Sequence, residues 1–166
     1  RDLDENKVPD ADVIIGGPCC QGYSNANRAG NTEQDISKRL LIDDYIRMVK
    51  AKKPIMFLVE NVPQFVTKEQ GKYLQKVLAE LSDDYTITYS IVNDWELGGY
   101  SKRKRMILFG SVKAMGKIVI PDVELISKKT VRDALIKVTP DWYNYNDVTK
   151  PSPSTVAKMA QVPQGG

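Results

Sequence analysis

A thiol, a carboxylate and two guanidinium groups are the side chains in this sequence whose types and settings could do chemistry. Cys20 follows Gly16, Gly17, Pro18 and Cys19 directly after the apolar Val13, Ile14 and Ile15. It therefore falls on a tight turn at the carboxyl end of a strand, a setting in which a thiolate is stabilised and can act as a nucleophile. Glu60 closes the apolar run Ile55 to Val59 and is followed by Asn61, Val62 and Pro63. Burial at such a strand tip would raise its pKa and leave it a proton to give, which suits acid catalysis. Arg103 and Arg105 alternate within Lys102, Arg103, Lys104 and Arg105. In an extended chain both face one side, where two guanidinium groups fit a phosphate or a carbonyl oxygen. Taken singly, each feature has an ordinary alternative. A free Cys is commonly a small core residue, a strand-end Glu caps the next helix or is solvated, and a Lys/Arg run beside a strand makes a solvated edge that resists aggregation.

The rest of the composition narrows the chemistry by exclusion. The 166 residues contain no His, which removes Ser-His-Asp hydrolysis, Cys-His proteolysis and His-ligated zinc hydrolysis; no metal is expected. Gly-Gly-Pro lacks the G-x-G-x-x-G spacing of a pyrophosphate cradle. The two cysteines are neighbours, and neighbours rarely bridge, so a reducing, intracellular compartment is the simpler reading. Net charge is 24 − 21 = +3, too small by itself to demand nucleic acid, although Lys102 to Arg105 concentrates positive charge. With 42% apolar and 27% charged residues the chain has the make-up of about one globular domain. No apolar run of membrane-spanning length occurs, and the charged opening RDLDENKVPD is no signal peptide, so no membrane partner is expected. A start at Arg1 and an end at Gly165 and Gly166 suggest part of something longer.

The elements that must position these groups follow from periodicity. Val13 to Ile15 and Ile55 to Val59 read as buried strands. Between them, Leu40, Leu41, Tyr45, Ile46, Met48 and Val49 line one face of a helix, after a polar stretch from Gln21 to Ser37. A second helix is expected from Lys68 to Leu81, with Tyr73, Leu74, Val77, Leu78 and Leu81 inward. Alternating strands are expected at Thr86 to Val92 and at Arg105 to Phe109. Val119 to Val123 is a short apolar stretch, Thr130 to Ile136 one small helix, and Pro140 to Pro153 turn-rich. Strands alternating with helices predict an α/β fold, part of a doubly wound, mostly parallel sheet with four parallel-type strands. Residues 1–112 form the catalytic part in this reading, and 113–166 a peripheral segment. Sites in such sheets gather at strand carboxyl ends, so Gly16 to Ser24, Glu60 to Val62 and the Gly98 turn are expected to converge.

Taken in order, GGPCCQGYS at 16–24, FLVENV at 57–62 and GGYSKRKRMILFG at 98–110 resemble the cytosine-5 DNA methyltransferase family. LIDDYIRMVKAKKPIMFLVENV looks like that family's helix and strand leading into its Glu, and VRDAL and PSPSTVAKMAQVPQGG look like its stretch before the target-recognition region. The resemblance implies a Rossmann-like methyltransferase fold, S-adenosylmethionine as cofactor and double-stranded DNA as partner. It implies that Cys20 attacks carbon 6 of a flipped cytosine, that Glu60 protonates or hydrogen-bonds ring nitrogen 3, and that Arg105 holds the cytosine carbonyl oxygen. Arg103 would hold the DNA backbone, Asn61 would brace the Cys loop, and Pro18, Gln21 and Ser24 would help to position the substrate. The 21–37 stretch would match a loop that closes over the extruded base. Asp2 and Cys19 fall on the cofactor side. Two residues depart from the family pattern: Cys19 replaces a second Pro, and Ser101 replaces the Gln that opens the arginine motif. The family's cofactor loop would lie before Arg1 and its recognition region after Gly166, so the segment alone is expected to show no turnover and to self-associate through an open strand edge. A transfer-RNA cytosine methyltransferase with DNA-type motifs, or a non-catalytic copy acting as a binding module, are the alternative readings.

Overall fold

The computed structural model describes residues 3–18, 41–120 and 129–163. The chain divides into two compact units, Arg1–Lys129 and Thr130–Gly166. The first contains strands β1 (Val13–Gly16), β2 (Met56–Asn61), β3 (Tyr85–Asn93) and β4 (Lys104–Val112) and helices α1 (Leu41–Lys52), α2 (Gln64–Thr67) and α3 (Lys72–Leu81). The second contains α4 (Val131–Leu135) and α5 (Pro153–Met159). Among the described residues no helix is long and apolar enough to cross a membrane.

Helix α1 forms where its apolar residues recur at helical spacing: Ile42, Ile46 and Val49 are buried, so Ile42 takes the inward place that the periodicity gives to Leu41. Asp43 and Asp44 in its first turn and Lys50 and Lys52 in its last complement the helix dipole. It ends because Lys53 turns left-handed at φ 45° and Pro54 follows. The second predicted helix is shorter than its period. Glu69, Gln70 and Gly71 have φ of 50°, 57° and 77°, which separates α2 from α3. Tyr73, Leu74, Val77 and Leu81 of α3 nevertheless turn inward.

The sheet order is β1-β2-β4-β3. β1 and β2 pair in parallel, whereas β4 is antiparallel to both β2 and β3. The fold is α/β, but the expected four parallel-type strands are three strands of one direction with one reversed strand between them. The physical reason is the connection. Only residues 94–103 join β3 to β4, fewer than the dozen or so that a parallel crossover needs, so the chain must fold back on itself. Strands also run further than their apolar runs, and β2 takes in Glu60 and Asn61. Val119 and Ile120 lie outside any strand.

Alternation along β2 and β4 sends Phe57, Val59, Met106 and Leu108 into one buried cluster with the inward faces of α1 and α3. Tyr45 ties the two parallel strands together: its hydroxyl reaches the carbonyls of Leu58 (2.9 Å) and Ile14 (3.1 Å). Burial pushes that phenol's pKa well above its ordinary range, so it stays a neutral donor. On the edge strand β1, Val13 and Ile15 are exposed.

Candidate functional site

Glu60 and Asn61 are consecutive in β2, so they point to opposite faces of the sheet, and each meets a different part of the surrounding sequence. Asn61 lies on the buried face, only 2% exposed. Its Nδ2 donates to the carbonyl oxygen of Pro18 at 3.0 Å, and its Oδ1 accepts the N–H of Val62 at 2.9 Å. A buried amide makes such bonds because leaving one unmade costs about 1–3 kcal/mol. The chain just after β1 is therefore tied to the end of β2, one residue before the cysteine pair.

On the opposite face, Glu60 stands level with Ile107 of β4, and Arg105, two residues earlier in β4, is its diagonal neighbour on the same side. Arg105 Nε lies 2.7 Å from Glu60 Oε1. A second bond, from Arg105 Nη1 to the Lys104 carbonyl at 2.8 Å, fixes the guanidinium further. Gly17 closes the site from β1: a Cβ there would lie 3.3 Å from Glu60 Oε2, so a larger residue would crowd the carboxylate. The premise that burial acts on Glu60 is not met, because its side chain is 44% exposed. Its charged neighbour among the described residues is the Arg105 guanidinium.

The described residues thus bring together Gly17, Pro18, Glu60, Asn61 and Arg105. Arg103 is not among them; it precedes β4, is exposed, and lies instead beside Asp94 and Ser101. Asp2, Cys19, Cys20, Gln21 and Ser24 lie outside the described residues, as does the 21–37 stretch. Sequence reasoning passed over two residues. Tyr45 carries no polar sequence signal, since it sits at an inward helical position like a core residue. Asp94 does carry one, an acid four residues before a Gly-Gly pair and seven before a Ser, the pattern of a side chain that closes a turn.

For S-adenosylmethionine, the described residues provide an edge strand, β1, that ends at Gly16 and is followed by Gly17 beside Glu60. The residues that the resemblance gives to the cofactor, Asp2 and Cys19, are outside them.

Comparison with known proteins gives the family. The profile of the C-5 cytosine-specific DNA methylase family matches residues 1–162. The type II methyltransferase M1.HphI of Haemophilus parahaemolyticus is 32% identical over 136 residues, which is 81% of this chain and 36% of that protein. Among solved structures, an Escherichia coli protein described as a prophage-encoded DNA modification methyltransferase superposes with a TM-score of 0.58 at 29% identity, covering 78% of this chain and 35% of that one. Schizosaccharomyces pombe Dnmt2 shares the fold, with a TM-score of 0.56 at 19% identity over 90% of this chain and 45% of its own. The chain spans about a third of the length of the curated relatives it matches.

Proposed function

Because the chain belongs to the C-5 cytosine-specific DNA methylase family, we propose that it carries the reacting side chains of a methyltransferase that acts on carbon 5 of a cytosine turned out of a DNA duplex. S-adenosylmethionine, when bound, supplies the electrophilic methyl group. Carbon 5 of cytosine is a poor nucleophile while the ring is aromatic, and the residues of this chain overcome that. The Cys20 thiolate bonds to carbon 6 as Glu60 gives a proton to nitrogen 3, so no negative charge collects on the ring and carbon 5 gains enamine character. After carbon 5 has taken the methyl group, it gives up its hydrogen as a proton to solvent water acting as base. The electrons of that C–H bond restore the ring double bond, the sulfur leaves as thiolate, and nitrogen 3 returns its proton to Glu60. Arg105, on the same face as Glu60, holds the cytosine carbonyl oxygen, and Asn61 braces the turn that carries Cys20.

The observation that supports this reading best is the bond from Asn61 to Pro18 beside the Glu60–Arg105 pair. Together they join three stretches far apart in sequence, the ones that carry Pro18, Glu60 with Asn61, and Arg105. Trapping tests it: in the complete protein, duplex DNA with fluorine at carbon 5 of cytosine cannot lose a proton there, so the adduct stalls. Mass spectrometry is expected to map it to Cys20. An adduct on Cys19 would overturn the assignment.

A second expectation separates the arginines. Arg105→Ala weakens methyl transfer more than DNA binding, since its contact acts once the base is out. Arg103→Ala weakens binding more than transfer. Each lost charge-assisted contact is worth about 1.5–3 kcal/mol, or roughly 10- to 150-fold. Anisotropy titrations run beside a turnover assay resolve effects of that size, and equal losses in both assays for both variants would refute the division.

A further inference from the structure

We propose that Asp94 and Ser101 form a clasp that positions Arg103 against DNA, an inference that rests on the DNA reading above. The ten residues between β3 and β4 turn at Gly98 and Gly99, and Asp94 holds that turn closed. Asp94 Oδ2 accepts the Ser101 N–H at 3.0 Å and the Ser101 hydroxyl at 2.7 Å. The Gly99 N–H donates to the Asp94 carbonyl at 2.8 Å. A Cβ on Gly99 would stand 2.1 Å from Asp94 Oδ1, so only glycine lets the carboxylate close over the turn.

Arg103 is gripped at both ends of its backbone by the same two residues. Its carbonyl accepts the Asp94 N–H at 2.9 Å, and its N–H donates to Ser101 Oγ at 3.4 Å. Only after this grip does β4 begin, with Lys104 paired to Asn93. The setting makes the acid conspicuous. Lys102, Arg103 and Lys104 are all exposed, and a carboxylate beside such a cationic strip opposes attraction to DNA phosphates. Asp94 spends its acceptor on Ser101 instead. Those Ser101 hydrogen bonds hold its carboxyl below the ordinary carboxylate range, with the Arg103 charge adding to the effect, so it stays ionised at neutral pH. Ser101 stands where the resembling family has Gln, and the clasp gives that departure a task. A backbone fixed on both sides leaves an arginine less to lose on meeting a phosphate, since only its side chain must then be ordered.

The sign of one substitution tests the clasp. By charge alone, Asp94→Ala should tighten binding to a duplex. Positioning predicts the opposite, a loss of about 5- to 10-fold, the scale of a lost hydrogen-bonded contact. Asp94→Asn, which keeps the acceptor and drops the charge, is expected to bind at least as well as the native protein. In an Arg103→Ala background, Asp94→Ala is expected to change affinity by less than about two-fold, because residues that act as one unit do not add. A purely structural role would add in full. Amide exchange at Arg103, read in the same proteins without DNA, is expected to speed up about ten-fold or more in Asp94→Ala. Tighter binding by Asp94→Ala, or additive losses with Arg103→Ala, overturns the proposal. Failure of the complete native protein to bind duplex DNA would sink the DNA reading itself. Arg103 exchange then decides the clasp alone, and unchanged protection in Asp94→Ala overturns it.

Discussion

Glu60→Gln is expected to lower methyl transfer by about 10²- to 10⁴-fold, the usual contribution of a positioned proton donor, while leaving the fold nearly untouched. Gln matches Glu in size and can hydrogen-bond nitrogen 3, but it cannot deliver a proton there. The structure argues that stability is spared. The Glu60 side chain is 44% exposed and its Arg105 partner 25%, and ion pairs open to solvent contribute about 0–1 kcal/mol. Single-turnover transfer of a labelled methyl group, measured beside thermal unfolding, separates the two effects. A rate within about ten-fold of the native one would remove Glu60 from the proton-transfer step, and a large fall in melting temperature would mean that Glu60 holds the sheet together instead.

The largest effect on stability is expected at Phe57. It is fully buried and packs edge-on against Tyr85 at 5.1 Å and Tyr45 at 6.3 Å between ring centroids. Phe57→Ala leaves a cavity where β1, β2, β4 and α1 meet, and such truncations cost about 3–5 kcal/mol, a large part of the roughly 5–15 kcal/mol that holds a domain folded. The ring lies over Gly110, its partner across β4, where a Cβ would come within 2.1 Å of it. Gly110→Ala should therefore destabilise the native protein. In the Phe57→Ala background the same methyl enters the vacated space, and the change should be neutral or stabilising. Urea unfolding of the four proteins in this cycle checks the reversal, and equal losses from Gly110→Ala in both backgrounds would contradict it.

The sequence by itself determined where most of the elements lie and which side chains are the candidate reacting groups. Apolar period placed β1 to β4, the inward face of α3 and most of that of α1, where Ile42 rather than Leu41 is buried, because burial of a helix face or a strand face is largely patterned locally. The three motifs and their order carried the family, and with it the roles proposed for Cys20, Glu60 and Arg105. Tertiary structure decided the rest. The reversal of β4 depends on the length of a connection and on which strand edge is free to receive it, and neither is written in the strand's own residues. Register then put Arg105 diagonally across from Glu60 and left Arg103 before the strand, held by Asp94 and Ser101. Alternation alone could not separate two arginines that share a side in an extended chain. Glu60 shows the same limit in energetic form: an apolar run predicts a buried tip, but exposure is set by what packs over that tip from elsewhere in the chain, and here what meets the carboxylate is Arg105 together with solvent.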